Sequence, residues 1–120
     1  MDFTNDTPIY IQIMDKIKSD IITGKLRKGD KLMSTRELAV SLKVNPNTVQ
    51  RVFKELESEE ICYTKRGMGT FVTEDDQTIE LLKTQLAKEK ISQFVAIMKA
   101  LNIGIEDIIN KLKAYEEGKL

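Results

Sequence analysis

The sequence predicts a mainly α-helical chain with one small β-wing, in which a compact helical unit is followed by a two-helix tail. Three observations predict it. First, Ser34 stands three residues before Glu37, and Asn45-Pro46 follows soon after, so two helix starts lie close together. Second, residues 61–65 and 70–73 are short β-branched and aromatic segments separated by Arg66-Gly67-Met68-Gly69, the pattern of a hairpin with a glycine-containing loop. Third, from Gln77 onward apolar residues recur at helical spacing almost to the end of the chain.

Taken in order, Thr7-Pro8 reads as a cap followed by proline at the first helical position. Ile9, Ile13, Ile17 and Ile21 then recur every four residues, with Tyr10 and Met14 beside them, and Gly24 supplies the stop. That stripe is a core face. Residues 25–30 form a turn bending at Gly29, and Lys31-Leu32-Met33 can pair as a short strand with the hairpin. The next helix carries Leu38, Ala39 and Leu42 on one face and turns through Lys43-Val44. In the helix that follows, Val49, Val52, Phe53 and Leu56 stand at i, i+3, i+4 and i+7, one apolar stripe. Two short helices joined by a tight turn are a helix-turn-helix, and the basic-tipped hairpin after them makes a winged helix. Residues 1–75 are assigned to this unit and 76–120 to the tail.

In the tail, Glu74 to Gln77 is a polar linker. Ile79, Leu82 and Leu86 make a first seam, and after a one-residue offset Ala87, Ile91, Phe94, Met98 and Leu101 continue it at spacings of 4, 3, 4 and 3. Asn102 ends this helix. Gly104 caps a last one, with Ile105, Ile108, Ile109, Leu112 and Tyr115 as its apolar face. Two helices cannot enclose that much apolar surface, so the expected partner is the same tail of a second chain, with Leu82, Leu86, Ile91, Phe94, Met98, Leu101, Ile108 and Leu112 at the dimer seam.

Composition bounds the function. The chain of 120 residues contains no His and a single Cys, which excludes a His-based triad, a His metal site and a thiolate zinc cluster. Gly67 and Gly69 lack the lysine and the strand-loop-helix setting of a phosphate loop. Neither an enzyme nor a cofactor is expected. No apolar run approaches the roughly 18 residues of a membrane span. The N-terminus has no basic segment leading into an apolar one, and the lone Cys62 fits a reducing cytoplasm, the expected location. Net charge is zero, yet residues 25–54 carry eight basic side chains against two acidic, a local charge of +6, while four acids crowd residues 55–60. A basic patch beside an acidic helix end suits one DNA-facing surface.

The segments PIYIQIMDKIKSDIITGKLRKGDKL, STRELA, VNPNTVQRVFKELE and RGMGTFV together resemble the DNA-binding domain of GntR-family bacterial transcription regulators, over residues 8–73. The short tail resembles the YtrA-type subfamily. The resemblance implies a dimeric repressor, often of transport genes, bound to a palindromic double-stranded operator. It departs from the family at two places: Met33 stands where proline is usual, and Glu60 where a glycine usually ends the recognition helix. Some relatives have Arg where Pro46 stands, so base preference does not carry over. A small-molecule effector is left open, since no cluster of convergent polar groups in the tail names one.

Residue chemistry gives the candidate contacts. Ser34, Thr35 and Arg36 open the first motif helix, and the Arg36 fork suits guanine or phosphate. Asn45, Asn47 and Thr48 crowd the start of the recognition helix, where short polar groups and free N–H groups meet phosphates; Asn45 serves equally as a cap. Gln50 can read adenine, and Arg51 can read guanine or clamp phosphate. At the wing, Arg66 is the side chain for the minor groove, with Gly67 and Gly69 letting the backbone approach. The competing reading is a helical interaction module whose winged helix binds protein.

Overall fold

The computed structural model describes residues 1–120, which form two compact units, 1–83 and 84–120. The first contains α1 (Ile9–Thr23), α2 (Thr35–Leu42), α3 (Pro46–Ser58), β1 (Cys62–Lys65), β2 (Gly69–Val72) and the opening turns of α4 (Asp76–Ala100). The second contains the rest of α4 and α5 (Ile105–Glu116).

α1 starts one residue later than the Thr7-Pro8 pattern implies. Pro8 occupies the cap position itself and no side chain caps the helix. Gln12 instead organises the preceding segment: its amide nitrogen donates to the Thr7 carbonyl (2.6 Å) and the Thr4 carbonyl (3.0 Å), and its Oε1 accepts from the Thr4 N–H (3.0 Å). Ile13, Met14, Ile17 and Ile21 are buried, while Ile9 in the first turn stays exposed.

α2 begins with the expected capping box. The Glu37 N–H donates to Ser34 Oγ at 3.1 Å, and the Ser34 N–H donates to Glu37 Oε1 at 3.3 Å. α3 begins with Asn45 Oδ1 accepting the Asn47 N–H at 2.8 Å and Pro46 at the first helical position. Its inner face is closed to water: Val49, Val52 and Leu56 have no exposed surface and Phe53 is buried. Burial of side chains of this size contributes about 1.5–3 kcal/mol each, which anchors α3 firmly to the unit.

Where a glycine would ordinarily end α3, Glu60 takes the left-handed conformation itself, with φ 61°. The Ile61 N–H donates to the Leu56 carbonyl and the Glu60 N–H to the Glu57 carbonyl, both at 2.9 Å, so a full Schellman closure forms on a glutamate. Ile61, buried, supplies the apolar contact that holds it shut. α4 ends in the same way on Asn102, with φ 60°.

β1 and β2 pair antiparallel, Cys62 opposite Val72, Tyr63 opposite Phe71, Thr64 opposite Thr70 and Lys65 opposite Gly69. The expected third segment is present as a single bridge, Lys31 to Phe71, on the far side of β2. The Leu32 N–H donates to the Thr70 carbonyl and the Val72 N–H to the Asp30 carbonyl, both at 2.8 Å. Leu32, Ile61, Cys62 and Val72 close the core from this side.

The compact unit reaches Lys83, beyond the expected limit at residue 75. Ile79 packs on the winged core and Leu82 is buried in it, and the Asp76 carboxylate pairs with Lys28 at 3.2 Å. Leu82 was expected in the seam between chains and is instead consumed inside its own chain. Ile108, expected in the same seam, is also already buried within one chain. The other tail positions differ: Leu86 and Met98 are half-buried, while Ile91, Phe94, Leu101 and Leu112 are exposed, together with Ile97, Ile105, Ile109 and Tyr115.

The left-handed Glu60 yields a stability test. Glu60→Gly removes a clash between Cβ and backbone at the cost of more unfolded-state freedom, for an expected net gain of about 0.5–1 kcal/mol. A rise in the urea midpoint with unchanged slope is the expected reading; an unchanged or lower midpoint would show that the glutamate is not strained there.

Candidate nucleic-acid interface

The buried stripe of α3 fixes which of its residues face outward. With Val49, Val52, Phe53 and Leu56 inward, helical geometry places Asn47, Gln50, Arg51 and Lys54 on the outer surface, and all four are exposed. Thr48 is half-buried at the margin. Asn45 does serve as the cap, which commits its Oδ1 to Asn47 and leaves its amide nitrogen available. The N-terminal turn of α3 therefore presents one capped amide and short polar groups at the positive end of a helix dipole, a surface suited to a phosphate oxygen.

α2 packs against α3 and carries Arg36 on its exposed first turn. The carboxylate next to it in the chain, Glu37, is turned back into the capping box. Its hydrogen bonds with Ser34 hold it below the ordinary carboxylate range, and Arg36 forms no ion pair. Ser34 is exposed with its Oγ accepting the Glu37 N–H, and Thr35 is half-buried as the first residue of α2.

At the wing, Arg66, Gly67 and Met68 form the exposed tip. Gly69 has φ 126°, and a Cβ there would stand 2.8 Å from Lys31 Cε, so a side chain would be strained and would displace the lysine. Gly67 has φ 76° with open space around it, leaving its backbone accessible. Below the tip, Tyr63 and Phe71 stack with centroids 5.8 Å apart, and Lys65 Nζ lies 5.1 Å from the Phe71 ring.

Two features escaped sequence reasoning. Lys65 adds a second cation to the wing, and its place beside Arg66 in the chain was the available signal. The other is a contact between distant segments: the Arg51 guanidinium lies 3.6 Å above the centroid of the Tyr10 ring on α1. No local pattern announces a pair 41 residues apart; Tyr10 simply read as part of an apolar stripe.

The remaining features carry no reactive chemistry. Cys62 is buried, and burial first and the Glu57 charge second push its thiol up to about 12. An apolar cavity of about 300 Å³ is lined by Ile13, Ile17, Leu32, Leu38, Phe53 and neighbours. Of its three charged wall residues, Lys16 is already paired with Asp20 at 2.9 Å. No group of His, Cys, Asp and Glu side chains could hold a metal ion, and no helix is long and apolar enough to cross a membrane.

Known proteins share this arrangement. The sequence profile of the family described as "Bacterial regulatory proteins, gntR family" matches residues 9–72. The transcriptional repressor YtrA of Bacillus subtilis is 42% identical over 96 residues, 79% of this chain and 74% of its own. A GntR family transcriptional regulator from Listeria monocytogenes superimposes with a TM-score of 0.86 at 47% identity, covering 92% of this chain and 97% of its own. The DNA-binding domain of AraR, solved in complex with operator ORX1, matches with a TM-score of 0.56 at 28% identity, covering 60% of this chain and 93% of that domain.

Because a thiol with so high a pKa is almost wholly protonated at neutral pH, Cys62 should resist a disulfide reagent such as DTNB in the native protein and react at once in denaturant. Rapid labelling of the native protein would contradict this placement.

Proposed function

The chain belongs to the GntR family of bacterial regulatory proteins and is a DNA-binding regulator of transcription, and from that premise we propose that it acts as a homodimeric repressor on a two-fold symmetric operator. The carrying observation is the outer face of α3. Asn47, Gln50 and Lys54 form no intramolecular side-chain bond there, over an inner face closed to water, with Arg36 unpaired on the adjoining helix. In this reading α3 enters the major groove, Gln50 and Arg36 reach base edges, the α3 N-terminus meets phosphate, and Arg66 enters the minor groove beside it. The AraR operator complex supports the use of this fold on DNA, and the name of YtrA supports repression.

The tail supports pairing. Ile91, Phe94, Leu101 and Leu112 lie exposed on helices of one chain, and covering them with the same surfaces of a second chain removes that apolar area from water. Each subunit carries one recognition helix, so a symmetric dimer reads two half-sites, with centres about 10 base pairs or a multiple apart.

A duplex selected by the protein from a random pool, compared with random-sequence DNA at two salt concentrations, tests the DNA reading. Arg36→Ala should cost about 1–3 kcal/mol on the selected duplex and relax preference at one position per half-site. Arg66→Ala should weaken both duplexes evenly and lower the salt slope by about one unit per subunit. Wild-type affinity and specificity in both variants would remove the winged helix as the reading surface, and salt-independent binding would favour a protein partner instead.

Sedimentation tests the dimer. The native protein should run as a dimer at micromolar concentration, and Phe94→Asp or Leu101→Asp should dissociate it, because an unpaired carboxylate in the seam costs more than the roughly 2–7 kcal/mol of a buried neutral polar group left without a hydrogen bond. A native monomer would overturn the assembly.

A further inference from the structure

Arg51 differs from Lys54, the other basic residue on the outer face of α3. Its guanidinium carbon lies 3.6 Å above the centroid of the Tyr10 ring, a distance of direct stacking. Tyr10 is half-buried and packs against the winged core from the first turn of α1, so its ring is a fixed platform. Arg51 forms no ion pair and donates no side-chain hydrogen bond. Stacking occupies the face of a guanidinium and leaves its in-plane N–H groups free, and those are the groups a phosphate oxygen accepts from.

We propose that Tyr10 is a positioning residue for DNA binding, whose ring holds Arg51 ready for a backbone phosphate at the edge of the groove. The reading rests on the DNA-binding function above and goes beyond it in two ways. It assigns Arg51 to phosphate and not to guanine, because the guanidinium is held over a ring on α1 and away from the groove that α3 would fill. It also brings α1, otherwise a core helix, into the binding surface. The benefit is preorganisation, because a long side chain already held by the ring loses less freedom when the DNA arrives.

A double-mutant cycle on the selected duplex and on random-sequence DNA tests this, with melting temperature recorded for each protein. Tyr10→Leu should weaken binding to both duplexes alike, by about threefold to tenfold. Tyr10→Phe, which keeps the ring face, should stay within about twofold of wild type. Arg51→Ala should weaken both duplexes and lower the salt slope by about one unit per subunit. In the Arg51→Ala background, Tyr10→Leu should cost nothing further. If the two losses simply add, Tyr10 acts through folding and the proposal fails; that comparison holds even if Tyr10→Leu lowers the melting temperature. A loss in Tyr10→Phe equal to that in Tyr10→Leu would assign the role to the hydroxyl and also overturn it. If Arg51→Ala relaxed base preference at one position, phosphate would be the wrong target. These outcomes leave the DNA-binding function standing, whereas a wild-type protein that bound neither duplex would end both.

Discussion

The packing of one helix face governs the winged unit. Val49, Val52, Phe53 and Leu56 must leave water together because they lie on one stripe of α3, and α1, α2, Ile61 and Val72 are arranged to receive them. Once that face is fixed, the helix cannot rotate, since a turn of even one residue would expose apolar surface and bury Arg51 or Lys54. The orientation of the outer face, and with it the reading surface, is therefore a by-product of core packing. The rigidity that places a binding side chain comes from residues that never touch a ligand.

Around that core, short polar groups do the closing. Ser34 and Glu37 satisfy each other's backbone partners, Asn45 caps α3, and Glu60 takes a left-handed conformation so that the chain can turn from α3 into β1. These devices have a consequence for the surface. Glu37 is committed to the capping box, and Arg36 beside it in the chain stays unpaired on the first turn of α2. A chain of zero net charge thereby keeps unpaired positive groups where an anionic partner would need them, while its acids gather at the end of α3, where Glu59 pairs with Lys18 at 3.2 Å and Glu57 accepts the Thr64 hydroxyl.

The tail follows a different logic. In the winged unit, apolar stripes find their cover within one chain; in residues 84–120 most do not. Ile108 is enclosed, but Ile91, Ile97, Leu101 and Leu112 stay in contact with solvent. α4 changes role along its length: Ile79 and Leu82 belong to the winged core, while Ile91, Phe94 and Ile97 further along are exposed. The heptad-like spacing slips by one residue between Leu86 and Ala87, close to the division after Lys83, so the seam is not continuous through both parts.

The sequence by itself determined the order and type of the elements. Caps at Ser34 and Asn45, the i, i+3, i+4, i+7 stripe of α3 and the glycine-bearing hairpin are local signals, set by interactions within a few residues, and such signals are readable without coordinates. It also determined which α3 residues face outward, because a buried stripe on a regular helix fixes the opposite side. Tertiary structure decided what depends on distant segments meeting. It placed Leu82 in the winged core and moved the unit boundary to Lys83, it enclosed Ile108, and it used a glutamate where a glycine was missed, because Ile61 could close the turn. Above all it laid Arg51 across Tyr10. That pairing joins α1 to α3 over 41 residues of chain, and only the packing of two helices against one core could bring ring and guanidinium within 3.6 Å.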